Sequence, residues 1–67
     1  MGLGISRRSA LLSVQRYYAP EARRCMRVVL LNGGIGAFID FADGSSGWMV
    51  RADTNKRRWI PREILPD

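Results

Sequence analysis

The feature that most constrains this chain is the dipeptide Asn32-Gly33, set between two apolar runs. Arg27-Val28-Val29-Leu30-Leu31 precedes it, and Ile35 to Phe41 follows. Asn-Gly between such runs is the strongest short-range hairpin signal, since both residues tolerate the backbone angles of a tight reversal. In the second run Ile35, Ala37, Ile39 and Phe41 share one side, and Gly36, Phe38 and Asp40 share the other. That period of two is the pattern of a strand with one buried face. Turn-forming clusters recur downstream. Asp43-Gly44-Ser45-Ser46-Gly47 leads to a third expected strand, Trp48 to Ala52, and Asp53-Thr54-Asn55-Lys56 leads to a short fourth, Arg57 to Ile60. Pro61 has no N–H to donate, so it belongs at a sheet edge or at the start of a closing turn. Strands at this spacing predict a β-meander or a small barrel.

The N-terminal third reads differently. From Met1 to Ala19 there is no acidic residue, and the composition is rich in Arg, Ser, Leu and Ala. On a helix at about 100° per residue, Ala10, Leu11, Val14, Tyr17 and Tyr18 share one face. Ser9, Ser13, Gln15, Arg8 and Arg16 take the other, with Leu12 and Ile5 straying onto the polar side. Pro20 ends this helix or opens a second short one, because the residue before a proline avoids the helical region. Glu21 to Met26 is expected to make one helical turn. The expected fold class is therefore mainly β, with an amphipathic helical arm over residues 1–25 and a small barrel or meander over 26–67.

Composition then removes most chemistry. The 67 residues include no histidine and one cysteine, Cys25. Without His there is no Ser/His/Asp or Cys/His triad and no His-bearing metal site. A lone Cys closes no internal disulfide. Asn32-Gly33-Gly34-Ile35-Gly36 lacks phosphate-loop or dinucleotide spacing and is a turn. Asp40 and Asp43 beside a turn are expected to be solvated or capping, and Cys25 to be inert packing, although Arg23, Arg24 and Arg27 around it could lower its pKa. The chain is not expected to be an enzyme, nor to hold a cofactor or a metal.

Charge is uneven. The net +5 arises from 11 basic and 6 acidic residues. Residues 1–25 carry five arginines and Glu21, giving +4, and residues 26–67 carry six bases and five acids, giving +1. A nucleic-acid module concentrates its positive charge on its folded part, which this one does weakly. The longest apolar run, Val28 to Ile39, is 12 residues broken by Asn32, Gly33, Gly34 and Gly36. A spanning helix needs about 20. At this length, with no disulfide or metal, a stabilising partner is expected.

An amphipathic, Arg- and Ser-rich, acid-poor start resembles a mitochondrial transit peptide. Arg16-Tyr17-Tyr18-Ala19 adds a resemblance to the matrix-processing pattern, with an Arg followed by an aromatic and then a small residue. The resemblance implies a matrix-side mitochondrial location, and the segment is expected to be retained as a structural arm.

Gly47-Trp48-Met49-Val50-Arg51-Ala52, then a turn, then Trp59-Ile60-Pro61-Arg62-Glu63-Ile64-Leu65 resembles the last half of a Src-homology-3 domain. In that family a Trp opens the third strand, a distal turn follows, and an Ile-Pro pair leads through one helical turn into a final strand. Phe41-Ala42-Asp43-Gly44 also resembles the Tudor and related small barrels. The resemblance covers about 20 residues of the 67. The acidic loop and Tyr-rich strand of the peptide-binding members have no counterpart, and the usual Trp-Trp pair is Trp48-Met49. Trp48 and Pro61 match peptide-groove positions without the groove's tyrosines, so the resemblance implies a fold rather than a proline-rich peptide site.

The interaction candidates are Trp48, Arg51, Lys56, Arg57, Arg58, Trp59 and Pro61. Trp48 is expected to be partly exposed at an interface and Trp59 to pack inward. Arg51 with Lys56, Arg57 and Arg58 would contact RNA phosphates in a rival reading, with Trp59 stacking a base. The function expected is a non-catalytic accessory subunit of a large mitochondrial assembly, a respiratory-chain complex or ATP synthase. The alternative is a small mitochondrial ribosomal protein touching rRNA through its arm and the 56–58 turn.

Overall fold

The computed structural model describes residues 5–55 and 57–64. Its elements run α1 (Arg7–Tyr17), β1 (Ala22–Leu31), β2 (Gly34–Phe41), β3 (Ser46–Ala52) and β4 (Ile60–Pro61). The four strands form one open antiparallel sheet in chain order, a meander. The chain is thus mainly β with one short helix ahead of the sheet.

Ser6 caps α1, its hydroxyl accepting from the Ser9 N–H at 3.1 Å. A side-chain oxygen at this position satisfies one of the first-turn donors. The helix ends where expected. Tyr18 and Ala19 N–H both donate to the Val14 carbonyl at 2.9 Å, and Pro20 follows. Its first turn holds Arg7 and Arg8 and no acid, which opposes the helix dipole. Eleven residues with that charge arrangement would be marginal in isolation. What holds the helix is its buried face: Ala10 and Val14 are fully enclosed against β1 and β2. The rotation of that face differs from the sequence expectation. Tyr17 and Tyr18 are exposed, at 43% and 45%, while Ile5 packs against the core. Ser13, expected on the wet side, turns toward the sheet.

Glu21 to Met26 is not a helical turn, because β1 already runs from Ala22. Two register shifts, between Ala22 and Arg24 and between Cys25 and Arg27, interrupt its pairing with β2. Each bulge adds one residue and bends the strand. The buried or partly buried residues Ala22, Cys25 and Val28 are consequently three apart, a spacing that imitates a helix. The hairpin at Asn32-Gly33 forms as expected, with Leu31 opposite Gly34. Gly33 takes φ +89°, and among the described residues no non-glycine has positive φ. A type I′ turn needs positive φ at both central positions, so this reversal has the φ signs of a type II turn.

Below the helix lie Cys25, Ile35, Ala37, Ile39, Met49 and Trp59, all buried. In β2 the expected alternation holds, with Ile35, Ala37 and Ile39 inward and Phe38 on the opposite face, paired with Trp48 of β3. The fourth strand is shorter and later than expected. Arg57 and Arg58 lie ahead of it, and Pro61 sits in the edge strand, where its missing N–H costs nothing. Lys56 and Leu65 lie outside the described residues.

Candidate functional site

The sheet has two faces, and the helix covers one. On the other, register neighbours Phe38 and Trp48 meet edge to face, with ring centroids 5.1 Å apart and planes at 61°. Both rings are half-buried. Such a pair contributes about 0.5–1.5 kcal/mol beyond its buried area. Trp48 also lines an open groove with Gly47, Pro61, Arg62 and Glu63. The Arg62 N–H donates to the Trp48 carbonyl at 3.0 Å, which holds the segment after β4 beside the ring. Trp48 and Pro61, which the sequence singled out together as matches to groove positions, do line one groove.

Two more candidates, Trp59 and Arg51, meet on the opposite face. Trp59 is 2% exposed, and its indole Nε1–H donates to Ser13 Oγ at 2.8 Å. This bond ties the C-terminal end of the sheet to the helix 46 residues earlier. The Arg51 guanidinium lies over the Trp59 ring at 5.1 Å, on the helix side of the sheet. Trp59 thus packs inward as expected, and a ring enclosed in the core and covered by Arg51 has no face to offer the nucleobase of the rival reading. Arg51 is half-buried, whereas Arg57 and Arg58 are exposed.

The acidic candidates act locally. Asp43 accepts from Ser45 N–H at 2.8 Å and from Ser45 Oγ at 2.6 Å, closing the β2–β3 turn. Those bonds hold its carboxyl below the ordinary carboxylate range. Asp40 pairs with Arg24 at 3.2 Å on the outer face. Cys25 is buried, and burial pushes its thiol pKa up, against smaller lowering effects from the Arg27 backbone and Arg7. Loss of solvent outweighs both, a direction that accords with the inert packing expected of it and not with activation by Arg23, Arg24 and Arg27. Among the described residues no three His, Cys, Asp or Glu side chains come together as a metal site. None of the described helices is long and apolar enough to cross a membrane.

A feature the sequence did not single out is a second groove, of about 440 Å³, at the hairpin end of the outer face. Leu31, Val50, Ile60 and Ile64 supply its apolar lining, with Arg58 and Arg62 among the other residues around it. Two of its lining residues, Leu31 and Ile64, close over Gly36. A Cβ there would stand 3.0 Å from Ile64 Cδ1, 3.1 Å from Val29 Cγ2 and 3.3 Å from Leu31 Cδ1. These residues converge only in the fold, so no local motif announces them.

No protein-family model, curated protein or solved structure matches the chain.

Proposed function

We propose that this chain is a non-catalytic accessory subunit, docked through the sheet face that the helix leaves uncovered. The observation that carries the reading is the Phe38–Trp48 pair beside Pro61. Half-buried aromatic rings at an open groove are the kind of anchor in which binding energy concentrates. The correspondence of Trp48, the following turn and Ile60-Pro61 with the last half of a Src-homology-3 domain supports reading the meander as a partial barrel of that type. The acid-free, Arg- and Ser-rich start supports a large mitochondrial assembly as the partner, a respiratory-chain complex or ATP synthase on its matrix side. Because Ala10, Ser13 and Val14 belong to the core, the address in this reading is an uncleaved one.

The test is retention in the native particle. Tagged wild-type chain should localise to mitochondria and co-migrate with a large complex on native gels after RNase treatment. Trp48→Ala should be released, since truncating a central anchor costs roughly 2 kcal/mol or more of binding. Neutralising Arg57 and Arg58 should leave the chain bound, because rim charges act mainly on encounter rates. Salt-sensitive loss confined to the arginine variant, with Trp48→Ala retained, would refute protein docking and point to rRNA.

A further inference from the structure

We propose that the groove at the hairpin end of the outer face binds a small amphiphilic carboxylate, an apolar chain or ring ending in one carboxylate head. The groove is distinct from the Trp48 groove, although Arg62 borders both. Its volume of about 440 Å³ falls within the span of small-molecule sites, roughly 300–1,000 Å³. Its composition divides into two parts. Leu31 from β1, Val50 from β3, Ile60 from β4 and Ile64 beyond it form an apolar surface, and each is only half-buried. Arg58 and Arg62 supply two guanidiniums, and among the described residues no acidic one lines the groove. Among the described residues neither arginine has a carboxylate within ion-pair distance.

The two parts specify complementary halves of one ligand. Apolar surface left in contact with water is stabilised by covering it with apolar atoms. A planar guanidinium matches a carboxylate through paired N–H donors, a geometry an ammonium does not offer. A purely apolar ligand would leave both cations facing it unpaired, and a bare anion would leave the apolar lining wet. Of the apolar lining, Leu31 and Ile64 also lie close enough over Gly36 to crowd any Cβ there, which ties them to the sheet beneath.

Decanoate below its micelle threshold is the probe, titrated into the full-length 15N-labelled chain. It should shift the amides of Gly33, Gly34 and Ala52 saturably and leave those of the helix unmoved. Arg58→Gln with Arg62→Gln should weaken it by about tenfold or more, the effect of losing a charge-assisted hydrogen bond. Arg57→Gln, outside the groove, should leave affinity unchanged. 1-Decanol should bind about tenfold more weakly than decanoate, for the same reason. Absence of saturable shifts, equal binding of decanol, or the same shifts from acetate alone would each overturn the proposal. So would binding of decyl phosphate in preference to decanoate, which would assign the arginines to a phosphate head.

Discussion

The two faces of this sheet are built from alternate residues of the same strands and end in different states. On the helix side Ile39 and Ala37 are fully buried and Met49 is 1% exposed. On the outer side the much larger Phe38 and Trp48 are only half-buried. Apolarity therefore does not decide burial here. What decides it is how much chain is left to lie over each face. One short helix with small contact residues, Ala10 and Val14, approaches the inner face closely and excludes water. The described segment beyond β4 reaches only part of the outer face, around Gly36. Polar bonding follows the same division. Inside, Ser13 accepts from Trp59, and Gln15 Nε2 donates to the Ala22 carbonyl at 2.8 Å. Outside, the Arg24–Asp40 pair stands largely in solvent.

The sharpest way to break this comparison is to truncate neighbouring residues that point opposite ways. Ile39→Ala should cost about 2–5 kcal/mol, the lost transfer energy plus the cavity left in a closed core. Phe38→Ala should cost closer to about 1 kcal/mol, its stacking and a partial loss of area. Urea midpoints of the two variants measure the difference. Equal losses, or a larger one for Phe38→Ala, would mean that the outer face is also a closed core.

A smaller effect is expected at the polar bonds. Ser13→Ala should cost about 1–3 kcal/mol, because the buried Trp59 Nε1–H loses its acceptor. Arg24→Gln should change stability by less than about 1 kcal/mol, since exposed ion pairs are screened by water. If the two substitutions prove equivalent in thermal unfolding, the inner hydrogen bond is not desolvated as the structure implies.

The smallest effect concerns Cys25. Its folded-state pKa lies above its unfolded value, so the unfolded chain releases the thiol proton first as pH rises. The group leaves stability undiminished below the unfolded value, about 8.5, and lowers it as pH climbs from there toward the folded value. Cys25→Ser should flatten that alkaline limb of a melting-temperature profile. Native-state alkylation at neutral pH should be much slower than in denaturant. Equal rates would place Cys25 outside the core.

How much of this was legible depends on whether the signal was local. The hairpin at Asn32-Gly33, the alternation of Ile35 to Phe41 and the edge position of Pro61 follow from residue-level backbone and pleat rules, and they stand in the structure. The first half of β1 was misread for an equally physical reason. Its two bulges place Ala22, Cys25 and Val28 at intervals of three, so a bent strand carries a helix-like period. For α1, periodicity found the helix without finding its rotation. Tyr17 and Tyr18 are as apolar as the pattern assumed but stay exposed, while Ser13 turns inward to meet Trp59.

The sequence by itself determined most of the menu of elements: one acid-free helix closed before Pro20, then strands separated by Asn-Gly, Asp-Gly and Asp-Thr-Asn turns. Those choices rest on interactions within a few residues, which the order of side chains specifies directly. Only the tertiary structure decided which contacts hold the two tryptophans in the exposed and inward places expected of them. Trp59 and Trp48 are the same side chain in similar company, each with an arginine nearby in sequence. One became the link between helix and sheet because Ser13 and Arg51 enclose it, and the other was left beside Pro61 at a groove. That distinction depends on contacts between residues tens of positions apart, whose formation is settled by which face the helix can cover.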